Sequence, residues 1–352
     1  MKYILLPLLI ISYCSLFSQT SDSLLKQEKH FANIKQLSFG GDNAEAYFSP
    51  DSKKICFQSN NAAWGLKCDQ IFKMQLDDNT IQKNTKPQMI SSGNGRTTCS
   101  YYMPNNKDIL YATTEGESKN CPPTPVSHGK YLWPVYSSFD IVVANEKGTI
   151  IKKLTDTLGY DAEATVSPKG DKIVFTSTRS GDLELWTMDI DGKNLNQVTF
   201  GLGYDGGAFF SPDGTKLVFR ASRPQSTEEI NEYKSLLDSG LVAPTTMEIY
   251  TCNVDGTDLK QITHLGKANW APYFHPSGNK IIFSSNHHST KGYDFQLFII
   301  NIDGTGLEQL TFSSIFNAFP MFSPNGKQLI FSSNRNNGGN RDTNLFLVDW
   351  VD

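Results

Sequence analysis

Six copies of one fourteen-residue pattern constrain this chain more than any other feature. They read "AYFSPDSKKICFQS" around Pro50, "SYYMPNNKDILYAT" around Pro104, "ATVSPKGDKIVFTS" around Pro168, "AFFSPDGTKLVFRA" around Pro212, "PYFHPSGNKIIFSS" around Pro276 and "PMFSPNGKQLIFSS" around Pro324. The prolines stand 44 to 64 residues apart, a period that belongs to propellers and solenoids.

Each copy has the same grammar. An apolar strand ends at the proline. A turn follows, mostly Asp-Gly, Ser-Gly or Asn-Gly, pairs that accept positive φ and join hairpin strands closely. A second strand comes next, such as "KLVFRA" or "KIIFSS", and then a loop of variable length. A third strand ("LELWTMDIDG", "MEIYTCNVDG", "FQLFIINIDG") turns at another Asp-Gly into a short fourth ("NQVTF", "KQITH", "EQLTF"). Four short antiparallel strands per unit make a propeller blade. The expected fold is therefore all-β, a six-bladed β-propeller over residues 34–352. The sixth unit stops after its third strand, "TNLFLVDWVD", whereas "IKQLSF" (34–39) precedes the first unit and matches "LEQLTF" (307–312). This predicts that the N-terminal strand completes the last blade, which removes exposed sheet edges.

The repeats resemble the TolB-type propeller repeats of bacterial periplasmic proteins, through "SPDGTKLVF", "DGTDLKQIT", "DGTGLEQLT" and "GYDAEATVSP". The resemblance covers about residues 34–350 and implies the propeller. TolB also carries a separate N-terminal α/β domain, to which the resemblance does not extend, since only the short segment 19–33 is expected between the leader and the first strand.

That leader is "MKYILLPLLIISYCSLFSQTSD". One Lys precedes an apolar run of roughly 15 residues and then small polar ones, the layout of a secretory signal peptide and short for a membrane span. Residues 1–18 are expected to be removed after Ser18, leaving a short segment 19–33 before the propeller. Cys14 offers a lipoprotein alternative, against which Tyr13 is bulky. The mature protein is expected in the periplasm or outside the cell, as a monomer with no transmembrane segment. With 32 Lys and Arg against 36 Asp and Glu, the chain lacks the basic excess of a nucleic-acid partner.

Export makes disulfides possible. Besides Cys14 there are Cys56, Cys68, Cys99, Cys121 and Cys252. Cys56 and Cys252 sit inside apolar strands and read as buried small hydrophobes. Cys99 and Cys121 are the expected pair, stapling a long loop to the channel mouth, with Cys68 as the rival partner for either.

Two long insertions, 113–140 in the second unit and 221–248 in the fourth, follow second strands and so decorate one face of the disc, where function concentrates on a rigid scaffold. Within the latter, "STEEINEYKSLLDSG" carries helix start and stop signals. Seven residues before each proline stand Asn43, Thr97, Asp161, Asp205, Asn269 and Asn317, at the head of each innermost strand on that face, with Glu45, Arg96 and Glu163 beside them. Short polar side chains at a strand head either brace the neighbouring backbone or contact a ligand. The candidate ligand-binding residues are Arg96, Asp161, Glu163, Asp205, Asn269 and Asn317, with Gly206 and Gly207 leaving space beside Asp205.

No G-x-S-x-G elbow, H-E-x-x-H or P-loop occurs, and no catalytic residue, cofactor or metal ligand is assigned. His264, His287 and His288 fall in decorated-face loops without a zinc spacing. The expected function is a binding module recognising an envelope protein, peptide or glycan through the decorated face and central funnel. The alternatives are a metal-assisted glycan lyase or hydrolase using the funnel, as in the propellers that resemble oligogalacturonate lyases, or a detached partner of an exported peptidase. Binding is favoured over catalysis, since no histidine occupies the ring positions.

Overall fold

The computed structural model describes residues 26–77, 86–126 and 129–352. The leader with Cys14, the adjoining residues through 25, and His128 lie outside the described residues. Six four-stranded antiparallel sheets carry the chain. Five are built from consecutive strands. The third, for example, runs Asp161–Val166, Lys172–Ser177, Glu184–Asp189 and Asn196–Gln197. In the sixth, Asn317–Phe322, Gln328–Ser333 and Asn344–Trp350 are joined by Phe31–Gln36 from the other end of the chain, which pairs antiparallel with Asn344–Trp350. The closing strand begins three residues before "IKQLSF", because Phe31 already pairs with Trp350.

The reason each hairpin forms is visible in its turn. In the fourth blade the Ser211 hydroxyl donates to Asp213 and accepts from the Lys216 amide, while Gly214, at φ 66°, donates its amide to the Ser211 carbonyl. Proline between them holds φ near the value the turn needs. Seven residues beyond each proline comes an aromatic: Phe57, Tyr111, Phe175, Phe219, Phe283 and Phe331. All six are fully buried between blades, and such a side chain contributes about 2–3 kcal/mol by burial. The outer edge is pinned by hydroxyls. Ser91, Thr155, Thr199, Thr263 and Thr311 each accept from an amide of the third strand at 2.8–2.9 Å. In the last blade Ser38 does this for Leu345 at 2.9 Å, so the N-terminal segment supplies the sixth such group.

The insertions do more than decorate. Ser226 and Glu229 form a capping box that starts the helix Thr227–Asp238. The Tyr233 hydroxyl on this helix donates to Asp182 of the third blade. Beyond the helix, Leu241–Val242 pairs antiparallel with Trp133–Pro134 of the other insertion. The insertions of blades two and four thus meet in a two-stranded ribbon.

Candidate functional site

Each innermost strand carries a register break at the same place, between residues six and three before the proline: Ala44/Tyr47, Thr98/Tyr101, Ala162/Thr165, Gly206/Phe209, Trp270/Tyr273 and Ala318/Met321. Within it, five residues before the proline, stand Glu45, Cys99, Glu163, Gly207, Ala271 and Phe319, all with φ between 47° and 60°. A bulge of this kind turns one residue out of the ladder and re-aims its side chain. These six line one axial cavity of about 360 Å³, within the size range of ligand sites.

The bulge also reverses an expectation of the sequence. Glu163 does not point to the same side as Asp161. Asp161, Asp205, Asn269 and Asn317 are at most 1% exposed and are not among the cavity-lining residues. Arg179 donates to both Asp161 oxygens at 2.9 Å, and Arg223 grips Asp205 with two nitrogens. Asn269 donates to the Met247 and Gly266 carbonyls and accepts from Ser285. Asn317 donates to Gln296 and accepts from Arg335. The arginines lie against aromatic faces: Arg179 on Phe175 and Trp186, Arg223 on Tyr250, Arg335 on Phe331 and Phe346. The aspartate pairs thus close within their own blades, whereas Asn269 and Asn317 reach back to Met247 and Gln296 of the preceding blade, so these polar strand heads brace the scaffold. The signal that would have found their partners is periodic too, since Arg179, Arg223 and Arg335 each stand eleven residues after a proline.

Of the six candidate residues, the structure brings Arg96 and Glu163 together in the cavity wall. Arg96 pairs with Asp69 at 2.6 Å rather than with Asp161, Glu163 or Asp205. Glu163 is ringed by donors: Thr176, the Tyr204 hydroxyl and the Gly207 amide, each at 2.8 Å, and the guanidinium of Arg220. Burial pushes this carboxyl up, but Arg220 and the hydrogen bonds outweigh it and hold it below the usual range. Arg220 lies over Trp133 and Tyr204 and fills the space beside Gly207, where any Cβ would collide with it. Space beside Gly206 is filled by Glu163 and Tyr204. The glycines therefore make room for an internal ion pair, for which residue spacing carries no signal.

The wall above is aromatic. Tyr131 and Trp133 from the blade-two insertion join Trp270, with Tyr131–Trp270 centroids 6.0 Å apart and Trp133–Trp270 5.1 Å apart. The floor is aromatic as well. Phe209 projects to the axis against Tyr47, Tyr101 and Tyr273, at 5.5, 6.4 and 5.1 Å. It lines both this cavity and a second one among the proline turns of the opposite face, so it separates the two. The funnel is a blind pocket and not a pore.

The insertion is tethered, though not as expected. Cys121 bonds to Cys68, and Cys99 is free. The pairing of Cys99 with Cys121 is corrected: the bulge turns Cys99 into the axial cavity, while Cys68 lies on the loop leading to the third strand of blade one. Among the described residues no group of three or more His, Cys, Asp or Glu side chains is placed to hold a metal ion, and no helix is long and apolar enough to cross a membrane. His287 hydrogen-bonds Ser285 and packs on Phe298.

Six four-stranded blades, closed by an N-terminal strand around a blind funnel, define a β-propeller. Residues 136–240 match the TolB beta propeller domain family, and the fold of the chain is that of a TolB-like β-propeller. The putative TolB from Agrobacterium tumefaciens is 19% identical, over 91% of this chain and 97% of that one, with a TM-score of 0.58. TolB from Acinetobacter baumannii is 18% identical at a TM-score of 0.53, over 88% of this chain but 63% of its own length. Oligogalacturonate lyase from Vibrio parahaemolyticus is 12% identical, over 90% and 93%, at 0.51. No curated protein matches the sequence.

Proposed function

We propose that this protein is an exported binding module that takes a segment of an envelope protein or peptide into its funnel. The carrying observation is the composition of that cavity. Its ionisable groups are largely matched to one another, Arg96 with Asp69 and Arg220 with Glu163, and its mouth offers a shelf of Tyr131, Trp133 and Trp270. Aromatic anchors around a concave, partly apolar site are what a recognition surface uses. A lyase-type site would need histidines converging on the funnel, and none lines it among the described residues. Export is supported by the leader and by the Cys68–Cys121 bond.

A photo-crosslinking amino acid in place of Tyr131 tests this in cells. The expected result is a discrete envelope-protein adduct that Trp133→Ala diminishes and that the same probe at Leu195, on a plain-face turn, does not yield. Equal adducts from both positions, or turnover of a glycan substrate by the purified protein, would overturn the reading.

A further inference from the structure

Two glutamates occupy equivalent bulges in the six-membered ring, and their surroundings are opposite. Glu163 accepts from four donors, Arg220 among them. Glu45 has no ion-pair partner among the described residues. Its neighbours are the Tyr47 hydroxyl at 3.5 Å and the Cys99 thiol. Arg220, whose charge acts on it, is already held by Glu163 and the Tyr204 hydroxyl, and Arg96 by Asp69. Glu45 therefore lines a roomy cavity, half-buried, with acceptor capacity left over, and a carboxylate drawn out of water in that condition is costly.

Its surroundings define what would relieve it. The adjoining ring position in blade six is Phe319, the floor is Tyr47 and Phe209, and the shelf above is Trp133 and Trp270. Aromatic faces attract organic cations. A divalent metal needs several oxygen ligands, and among the described residues no such cluster exists.

Resting on the reading of the funnel as a ligand site, we propose that Glu45 and the surrounding aromatic rings form a seat for an organic ammonium group, such as a lysine side chain or an amino terminus on the bound segment. The carboxylate accepts from the N–H donors, and the rings cover the alkyl part and the remaining charge.

Proton linkage follows from the same arrangement. Burial pushes the Glu45 carboxyl up to about 7, reinforced by Glu163 and Asp69 and opposed by Cys99 and Arg220. A seated ammonium favours the ionised form, so binding near neutrality releases a proton. Affinity therefore rises with pH through this range.

The probe is 2-phenylethylammonium, compared with the neutral 2-phenylethanol and the anionic 3-phenylpropionate by ligand-observed NMR and calorimetry. The ammonium is expected to bind at least tenfold more tightly than either analogue above the Glu45 pKa. It should weaken as pH falls through neutrality and release a proton in buffers of different ionisation enthalpy. Glu45→Gln should lose at least tenfold for the ammonium and leave 2-phenylethanol unchanged. Equal binding of the three probes, an unaffected Glu45→Gln protein, or absence of proton release from the wild type would overturn the cation seat. The wild-type proton measurement stands even if the variant folds poorly. The two readings fail separately. An intact Tyr131 adduct in a Glu45→Gln protein that still binds the ammonium removes the cation seat alone. Loss of ammonium binding in that variant, with no adduct from the wild type, removes the protein ligand alone.

Discussion

Arg335 and Glu28, 307 residues apart in sequence, meet in a buried two-pronged ion pair with contacts of 3.1 and 3.2 Å. In blades three and four the corresponding arginines take their carboxylate from Asp161 and Asp205. Blade six has the neutral Asn317 at that position, and the N-terminal segment supplies the missing charge. Glu28 also accepts from the amides of Phe312 and Ser313 and from the Ser313 hydroxyl. Ring closure therefore rests on an electrostatic latch as well as on strand pairing.

Breaking a buried pair by removing one partner leaves the other uncompensated, at a cost of roughly 3–5 kcal/mol. Glu28→Gln should lower the urea midpoint accordingly. Adding Asn317→Asp recreates the arrangement of blades three and four and should recover at least half of the loss. A double variant no more stable than Glu28→Gln alone would show that Arg335 does not need the charge.

Asp161→Asn and Asp205→Asn should each destabilise by roughly 3–5 kcal/mol, because Arg179 and Arg223 lose the buried counter-charge of their own blade. Binding of 2-phenylethylammonium in the funnel should stay within twofold. A variant that keeps its melting temperature but loses binding would return these residues to the recognition site.

Peptide mapping without reductant should recover Cys68 linked to Cys121, with Cys99 as a free thiol. The bond spans 53 residues, so its removal by Cys121→Ser should cost roughly 4 kcal/mol in the chain-entropy view. Recovery of a Cys99–Cys121 peptide would contradict the arrangement.

Glu184, 3% exposed, has a side-chain oxygen without a hydrogen-bond partner. Burial pushes its carboxyl well above the usual range, and Asp205 and Asp182 add to the effect. The folded state thus binds a proton that the unfolded chain releases, and this group's contribution to stability falls as pH rises from about 5 to about 8. Blade five has Gln296 at this place, bonded to Thr311 and Asn317. Glu184→Gln should therefore be near-neutral at acidic pH and stabilising by about 1–3 kcal/mol at alkaline pH. A stability difference that does not change with pH would refute this.

The repeat of Ser-Pro turns, Asp-Gly turns and a stranded N-terminal sequence made the propeller and its closure legible, since hairpin chemistry is local. The funnel lining was harder to read. The polar heads Asp161 and Asp205 stand two residues from the true lining position, and strict strand alternation would put both on one side. The bulge breaks that alternation, and nothing in "DAEA" announces a positive φ. Arg220 and Arg96 reach the funnel from a second strand and a loop, where spacing carries no signal. The Trp133–Val242 pairing and the Cys68–Cys121 bond depend on how two insertions fold over the disc, a tertiary outcome that residue order alone leaves open.

The ring of bulges has an evolutionary consequence. Glu45, Cys99, Glu163, Gly207, Ala271 and Phe319 differ in size, charge and polarity, yet all occupy the same left-handed backbone position without disturbing the ladders on either side. Four of them are interchangeable cartridges in a fixed housing, while Glu163 and Gly207 are committed to holding and admitting Arg220. One propeller can therefore acquire a new ligand preference through single substitutions at the other four points, with the blades that carry them left as they are.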